Sequence, residues 1–420
     1  MGRIRKTLEA LAGAGIVLVA GALGATPRMG VAAPRSQVVP AAKTVYVNPA
    51  GDDAHTCLEP ATALACKTIK GALGKATAGD TVEVAAGTYV ENVSVTKQLT
   101  IRGAGEGTTI IDGNGKVTGA STVTIGTGVQ AVIERLTIRN GSNPGVGGGV
   151  RNDGDLTLSR VTVRDSVAGN TGGGIGLFAT GAALTLQNST VISNTASSGG
   201  GIGSYADDHR ITLTASAVVS NTAGDNGGIS SEGTLTIVDS RVSYNRAMIR
   251  VAGLQSRGPF TMSGSVLSDN VSEQLVGGAR LGSGTAALQR IVNSTISGNI
   301  AKVFQAGGLE VSQGGTLALV NTTVSGNRTG QFGGGIANSG GQLKLFNVTV
   351  TGNTADDGGG LYSYGGTGSS TEVYNSIIAA NIFDEDKGDC GGVTITANRY
   401  NLIQTLTGNP KHLIASLRLA

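Results

Sequence analysis

Residues 321–336 read NTTVSGNRTGQFGGGI, and one unit later, over 347–361, the phrase returns as NVTVTGNTADDGGGL. One unit earlier, over 293–309, it stands as NSTISGNIAKVFQAGGL. The asparagine that closes the core of this phrase recurs eight times: Asn194, Asn221, Asn245, Asn270, Asn299, Asn327, Asn353 and Asn381, spaced by 24 to 29 residues. Three positions before each stands an apolar residue, in order Val191, Val218, Val242, Leu267, Ile296, Val324, Val350 and Ile378. A fixed period of roughly 20–50 residues marks a solenoid, a propeller or an array.

Within a unit, short apolar–polar alternations such as Leu184–Leu186, Thr190–Ser193 and Gly201–Ser204 are separated by turn residues. Alternation over so few residues suits strands, and no repeat offers the period of a helix. Propeller blades need about 40 residues per unit, and the Leu-x-x-Leu-x-Leu register of leucine-rich repeats is missing. Three strands per unit, stacked on their own copies, make an all-β chain that is a single parallel β-helix, right-handed by the sense of parallel crossovers. Six positions before the repeat asparagine lies a second column: Asn188, Ala215, Asp239, Gly264, Asn293, Asn321, Asn347 and Asn375. Stacked amides in this column are expected to bond from coil to coil. The Asn-x-Ser/Thr triplets it creates read as by-products of the repeat.

The segments before the repeats have other compositions. Residues 1–32 have a basic start (Arg3, Arg5, Lys6) and an apolar stretch, the pattern of an export signal. A linker covers 33–43, the N-terminal cap and first coils 44–112, the repeats 113–388, and an end segment 389–420. Ile69, Ala72, Leu73 and Ala76 mark one face of a short helix, with Gly79 placed to stop it, and this helix is expected to cap the open end of the stack. In an exported chain Cys57 and Cys66 are best paired with each other, which leaves Cys390 over. The signal carries a net charge of +3, equal to that of the whole chain, so the mature protein is near neutral and has no basic run for nucleic acid. The expected location is secreted, extracellular or at the cell surface, with no stable membrane span after signal removal and a monomeric state.

The stretch from Tyr46 to Gly105, "YVNPAGDD…CKTIKGALGKATAGDTVEVAAGTYVENVSVTKQLTIRGAG", resembles the capped opening of secreted right-handed β-helix proteins of the pectin-lyase-like superfamily. The units "STISGN…GGL" and "TTVSGN…GGGI" are similar to repeats of polymorphic outer-membrane proteins, which are surface adhesins. Cys390 to Ile403, "CGGVTITANRYNLI", is similar to the end of surface β-helix proteins with a choice-of-anchor tail. Such proteins usually continue past this point, so the resemblance implies either a shortened ending or a released protein. It implies fold and compartment but little about activity, because the superfamily mixes lyases, hydrolases, epimerases and adhesins.

Three places carry residue types suited to chemistry. Asp207, Asp208, His209 and Arg210 join carboxylate, imidazole and guanidinium, and are the catalytic candidates, although other repeats carry plain solvated turns here. Asp356 and Asp357 stand 28 residues before Asp384 and Glu385, at matching phase, so Asp356, Asp357, Asp384 and Asp386 form a candidate calcium site of hard oxygen ligands. Arg246, Arg250 and Arg257 crowd one degenerate unit, with no acidic cluster at their phase in adjacent coils. No Trp and only 14 Phe and Tyr occur in 420 residues, which argues against a sugar-processing cleft; Tyr362 and Tyr364 share a strand face and form a candidate platform. The expected function is a structural or interaction protein, adhesin-like or glycan-binding, partnered by extracellular polysaccharide or surface polymers and without catalysis. The alternative is a calcium-dependent polysaccharide lyase or another glycan-active enzyme.

Overall fold

The computed structural model describes residues 41–115, 119–282, 288–382, 388–392, 395 and 397–404. The export signal, most of the linker, Asp384 to Asp386 and the tail from residue 405 lie outside the described residues.

The chain winds as a parallel β-helix of about 11 turns, from the strand Thr44–Val47 to the strand Leu402–Ile403. Its strands lie in three parallel sheets of 25, 12 and 8 strands. In one coil, Ile202–Ser204 belongs to the 12-stranded sheet, Arg210–Thr214 and Ala217–Val219 to the 25-stranded sheet, and Thr222–Ala223 to the 8-stranded sheet. A coil thus holds four strand segments where the sequence suggested three. The extra one is only two residues long, too short to alternate legibly.

The apolar column forms the axis of the core. Val191 stacks on Val218, Val218 on Val242, and so on through Val350 on Ile378, each in strict register and each buried. Burying a side chain of this size contributes about 1.5–3 kcal/mol. The stack repeats that contribution coil after coil.

The second column plays a different part from the one expected of it. Asn188, Ala215, Asp239, Gly264, Asn293, Asn321, Asn347 and Asn375 all have φ between 48° and 56°. They form the bend between the two strand segments of the 25-stranded sheet, and this left-handed backbone is tolerated best by Gly, Asn and Asp. Amide bonds do link Asn293, Asn321 and Asn347, but on the exposed surface.

The continuous ladder runs instead through the buried repeat asparagines. The Asn194 side-chain amide donates to Asn221 Oδ1 at 3.0 Å and to the Val163 carbonyl at 3.1 Å, and its backbone N–H donates to the same Asn221 oxygen. The pattern repeats down to Asn353, which donates to Asn381. Each amide satisfies turn backbone groups that are shut away from water, which explains why Asn is needed inside the coil. A hydroxyl ladder runs beside it, for example from the Ser189 N–H to Ser216 Oγ and from the Ser216 N–H to Ser240 Oγ.

Helix α1 (Ile69–Lys75) closes the N-terminal end, packing Ile69, Ala72 and Leu73 against the first strands. Thr68 caps it by accepting from the Gly71 N–H, while Glu91 accepts from the N–H groups of Ile69 and Lys70. At the other end Lys97 donates to the carbonyls of Leu73 and Ala76. The helix ends at Lys75, before Gly79, because Ala76 is already extended and buried. Cys57 and Cys66 are joined by a disulfide with a sequence separation of 9, and both are buried under the cap. Cys390 is buried in the core opposite Leu361, where burial pushes its thiol well up.

Candidate functional site

The outward face of the 12-stranded sheet gathers chemistry that is dispersed in the sequence. Its strands place one outward residue in register through Arg151, Gly176, Gly203, Ser230, Gln255, Arg280, Glu310, Ala337 and Tyr362. Much of this column is small because the loop that leads into each strand folds back over the neighbouring coil. A side chain at Gly176 would strike Val146, and one at Gly203 would strike Thr171. Farther along, Val251, Val276, Ala306 and Ala337 make a small second core under that overlay.

The next outward position is open on some coils and forms an edge strip there. Phe178 and Tyr205 lie exposed on adjacent coils, and Tyr364 lies exposed near the far end. Tyr205 and Tyr364 are six coils apart, about 29 Å at ~4.8 Å per coil. Tyr364 sits in an aromatic trio: its ring centroid is 4.7 Å from that of Tyr362 and 5.5 Å from that of Phe332, while Phe332 and Tyr362 are 4.7 Å apart. The two tyrosines were legible as one strand face; Phe332 comes from the overlaying loop of the preceding coil. Burial pushes both tyrosine hydroxyls up, helped by Asp357 and, for Tyr364, by Tyr362 and Glu310. They therefore remain protonated donors.

Two coils before Tyr362 in the same outward column stands Glu310, only 1% exposed. Its carboxylate faces Arg280, with Nε 3.2 Å from Oε2, and Arg280 Nε also reaches Ser312 Oγ at 3.1 Å. Burial pushes the Glu310 carboxyl above its ordinary value, with Arg280 pulling the other way. Sequence reading missed Glu310, because a glutamate between Leu309 and Val311 looks like an ordinary outward strand residue. The small residues that share its column were the available signal of an overlay.

The residues singled out from sequence are arranged differently from expectation. His209 is 0% exposed, and its Nε2 lies 2.8 Å from the Ala179 carbonyl. Arg210 follows it on the opposite, exposed face. Asp208 accepts the Gly181 N–H, and its other oxygen is 4.0 Å from His209 Nε2. Asp207 and Asp208 belong to the turn itself. The segment is a turn whose imidazole is held inside it against the Ala179 carbonyl.

Arg246, Arg250 and Arg257 have no acidic cluster beside them, as expected, but each finds a single acid on a neighbouring coil. They pair with Glu273 at 2.6 Å, Asp225 at 3.6 Å and Glu232 at 2.6 Å on neighbouring coils. These acids are spread over three separate loops and strands, so no cluster showed in the sequence. Of the calcium candidates, Asp356 is exposed while Asp357 turns toward the backbone of Gly391. Asp384 and Asp386 lie outside the described residues. Among the described residues no group of three or more His, Cys, Asp or Glu side chains is placed to hold a metal ion. Among the same residues no helix is long and apolar enough to cross a membrane.

No family model and no curated protein matches the chain. Among solved structures, it is similar to the pectin methylesterase PemA of Erwinia chrysanthemi, with 13% identity, a TM-score of 0.34 and coverage of 60% of this chain and 78% of that one. It is similar to the pectate lyase Pel9A, with 14% identity, a TM-score of 0.34 and coverage of 84% and 78%. A third is the A-module of the Azotobacter vinelandii mannuronan C-5 epimerase AlgE6, with 16% identity, a TM-score of 0.38 and coverage of 77% and 90%. These likenesses are low, and the architecture stands on the strand register described above.

Proposed function

We propose that the chain is an exported interaction protein that holds an extended glycan along the edge strip of the 12-stranded sheet without cleaving it. The observation that carries this reading is the trio Phe332, Tyr362 and Tyr364, three of only 14 aromatic rings in the chain, gathered on one outward face. Ring faces bury sugar C–H surface at little entropic cost, and protonated tyrosine hydroxyls supply hydrogen bonds. Phe178 and Tyr205 lie along the same strip, so one polymer can touch both ring groups. The basic, then apolar, N-terminal sequence and the cap disulfide support export to an oxidising compartment or the cell surface.

The second reading, a glycan-active enzyme, has one observation in its favour. Glu310 is a carboxyl raised by burial, as a general acid requires. Its burial counts against that role, since a catalytic acid must come within hydrogen-bond reach of the bond it protonates.

Affinity electrophoresis in polysaccharide gels tests the reading. The wild type is expected to be retarded, Tyr364→Ala to be retarded about tenfold less, and the polymer to be recovered unchanged. Release of unsaturated ends absorbing in the ultraviolet, or of new reducing ends, would replace this reading with the enzymatic one.

A further inference from the structure

The charges of the proposed strip are balanced within the strip itself. Arg151 and Arg280 lie on the outward column of the 12-stranded sheet and Arg257 directly follows one of its strands, and each meets an acid. Arg151 Nε lies 2.9 Å from Asp153 Oδ2, Arg257 Nη1 2.6 Å from Glu232 Oε1, and Arg280 Nε 3.2 Å from Glu310 Oε2. Arg151 is further committed, with its guanidinium 4.6 Å from the centre of the Phe178 ring. Three positive and three negative charges at contact distance leave short-range dipoles, whose fields die away within the ~8 Å screening length of physiological salt. Asp357, in the loop beside the trio, adds negative charge near Tyr362 and Tyr364.

A polyuronate carries a carboxylate on each sugar. On this strip it would lose hydration without gaining a cation to replace it, and would meet Asp357 at the trio. A neutral polymer loses only hydroxyl hydration, which the tyrosine hydroxyls and the polar edges of the ion pairs can replace. We infer that the ligand of the strip is a neutral polysaccharide rather than an acidic one, selected because every strip arginine is matched by a strip carboxylate. This inference rests on the glycan-binding reading above, and goes further by naming the charge class of the polymer.

The test uses the full chain in native gels containing a neutral β-glucan, polygalacturonate or alginate, at low and at physiological salt. Retardation is expected in the β-glucan gel, unchanged by salt and weakened about tenfold by Tyr364→Ala. No retardation is expected in the two polyuronate gels. Glu310→Gln removes one strip carboxylate and leaves the Arg280 charge uncompensated. That variant is expected to gain polyuronate retardation of at least threefold, abolished by salt. Wild-type retardation by polyuronate equal to or stronger than that by β-glucan would overturn the neutral-ligand inference and leave the platform reading standing. Failure of Glu310→Gln to gain any polyuronate binding would overturn the charge-matching argument. If no gel retards the wild type, the platform reading falls and takes this inference with it.

Discussion

Asp389 accepts both the backbone N–H of Asn381 at 2.8 Å and its side-chain amide at 2.7 Å, so a carboxylate ends the buried amide ladder. An asparagine at this last step would serve as acceptor but would need a further acceptor for its own N–H groups. A carboxylate has none to place, so the ladder ends there without an orphaned donor. At the other end, the Asn194 oxygen accepts from the backbone N–H of Ser166, whose hydroxyl in turn accepts from the Gly141 N–H.

The ladder predicts a large cost for breaking it mid-stack. Asn299 accepts from the backbone N–H and the amide of Asn270, and donates to Asn327 and the Leu267 carbonyl. Replacing it with Ala leaves at least two buried polar groups unsatisfied, a loss of roughly 2–5 kcal/mol. Urea unfolding of Asn299→Ala checks this; a loss below about 0.5 kcal/mol would mean that water fills the gap. Asp389→Ala, at the end of the ladder, is expected to loosen only the last coils, because each coil contacts just its neighbours. Amide exchange should locate that opening.

The bend column predicts a gain. Ala215 holds φ at 48° on an exposed bend where Asn188 and Asp239 flank it in the same column. Asn tolerates this region better than Ala, so Ala215→Asn should raise stability by about 0.5–1 kcal/mol. A thermal melt at or below that of the wild type would show that the bend strain is relieved elsewhere.

How far the sequence could be read follows from which constraints are periodic. The inward column from Val191 to Ile378 was legible because it recurs once per coil. The roles of the two asparagine columns were not, since a left-handed bend and a buried ladder both select Asn and only burial separates them. Tyr362 and Tyr364 could be placed on one face from their spacing, but Phe332 joins them through an overlay that only the fold reveals. The ion pairs of Arg246, Arg250 and Arg257 were missed because each partner is a single acid about one coil away, with no cluster to mark it.

The cap predicts a local effect from the disulfide. Cys57–Cys66 closes a short loop immediately before the Thr68 cap of α1. In the loop-closure account such a crosslink contributes about 2–3 kcal/mol. A Cys57→Ser/Cys66→Ser variant is expected to lose that much and to expose α1 to amide exchange while the repeats stay protected. Uniform loss of protection along all coils would instead mean that the cap and the stack unfold as one unit.

Glu310 predicts the sign of a pH effect on stability. Burial lifts its carboxyl above the ordinary glutamate value of 4.5, against the pull of Arg280 and of the Ser339 hydroxyl, and Tyr364 lies near it. Well below 4.5 both folded and unfolded chains hold the proton, and the group favours neither. As pH rises past 4.5 the unfolded chain releases its proton first, so the folded state binds more protons and stability falls with increasing pH. The decline is complete once pH exceeds the raised folded value. Glu310→Gln does not titrate, so its stability relative to wild type should improve as pH is raised above 4.5. Urea unfolding of both proteins at pH 4, 6 and 8 measures the difference directly. Parallel stability profiles would mean that Arg280 offsets the burial of Glu310 in full, and an opposite slope would mean that the ion pair outweighs it.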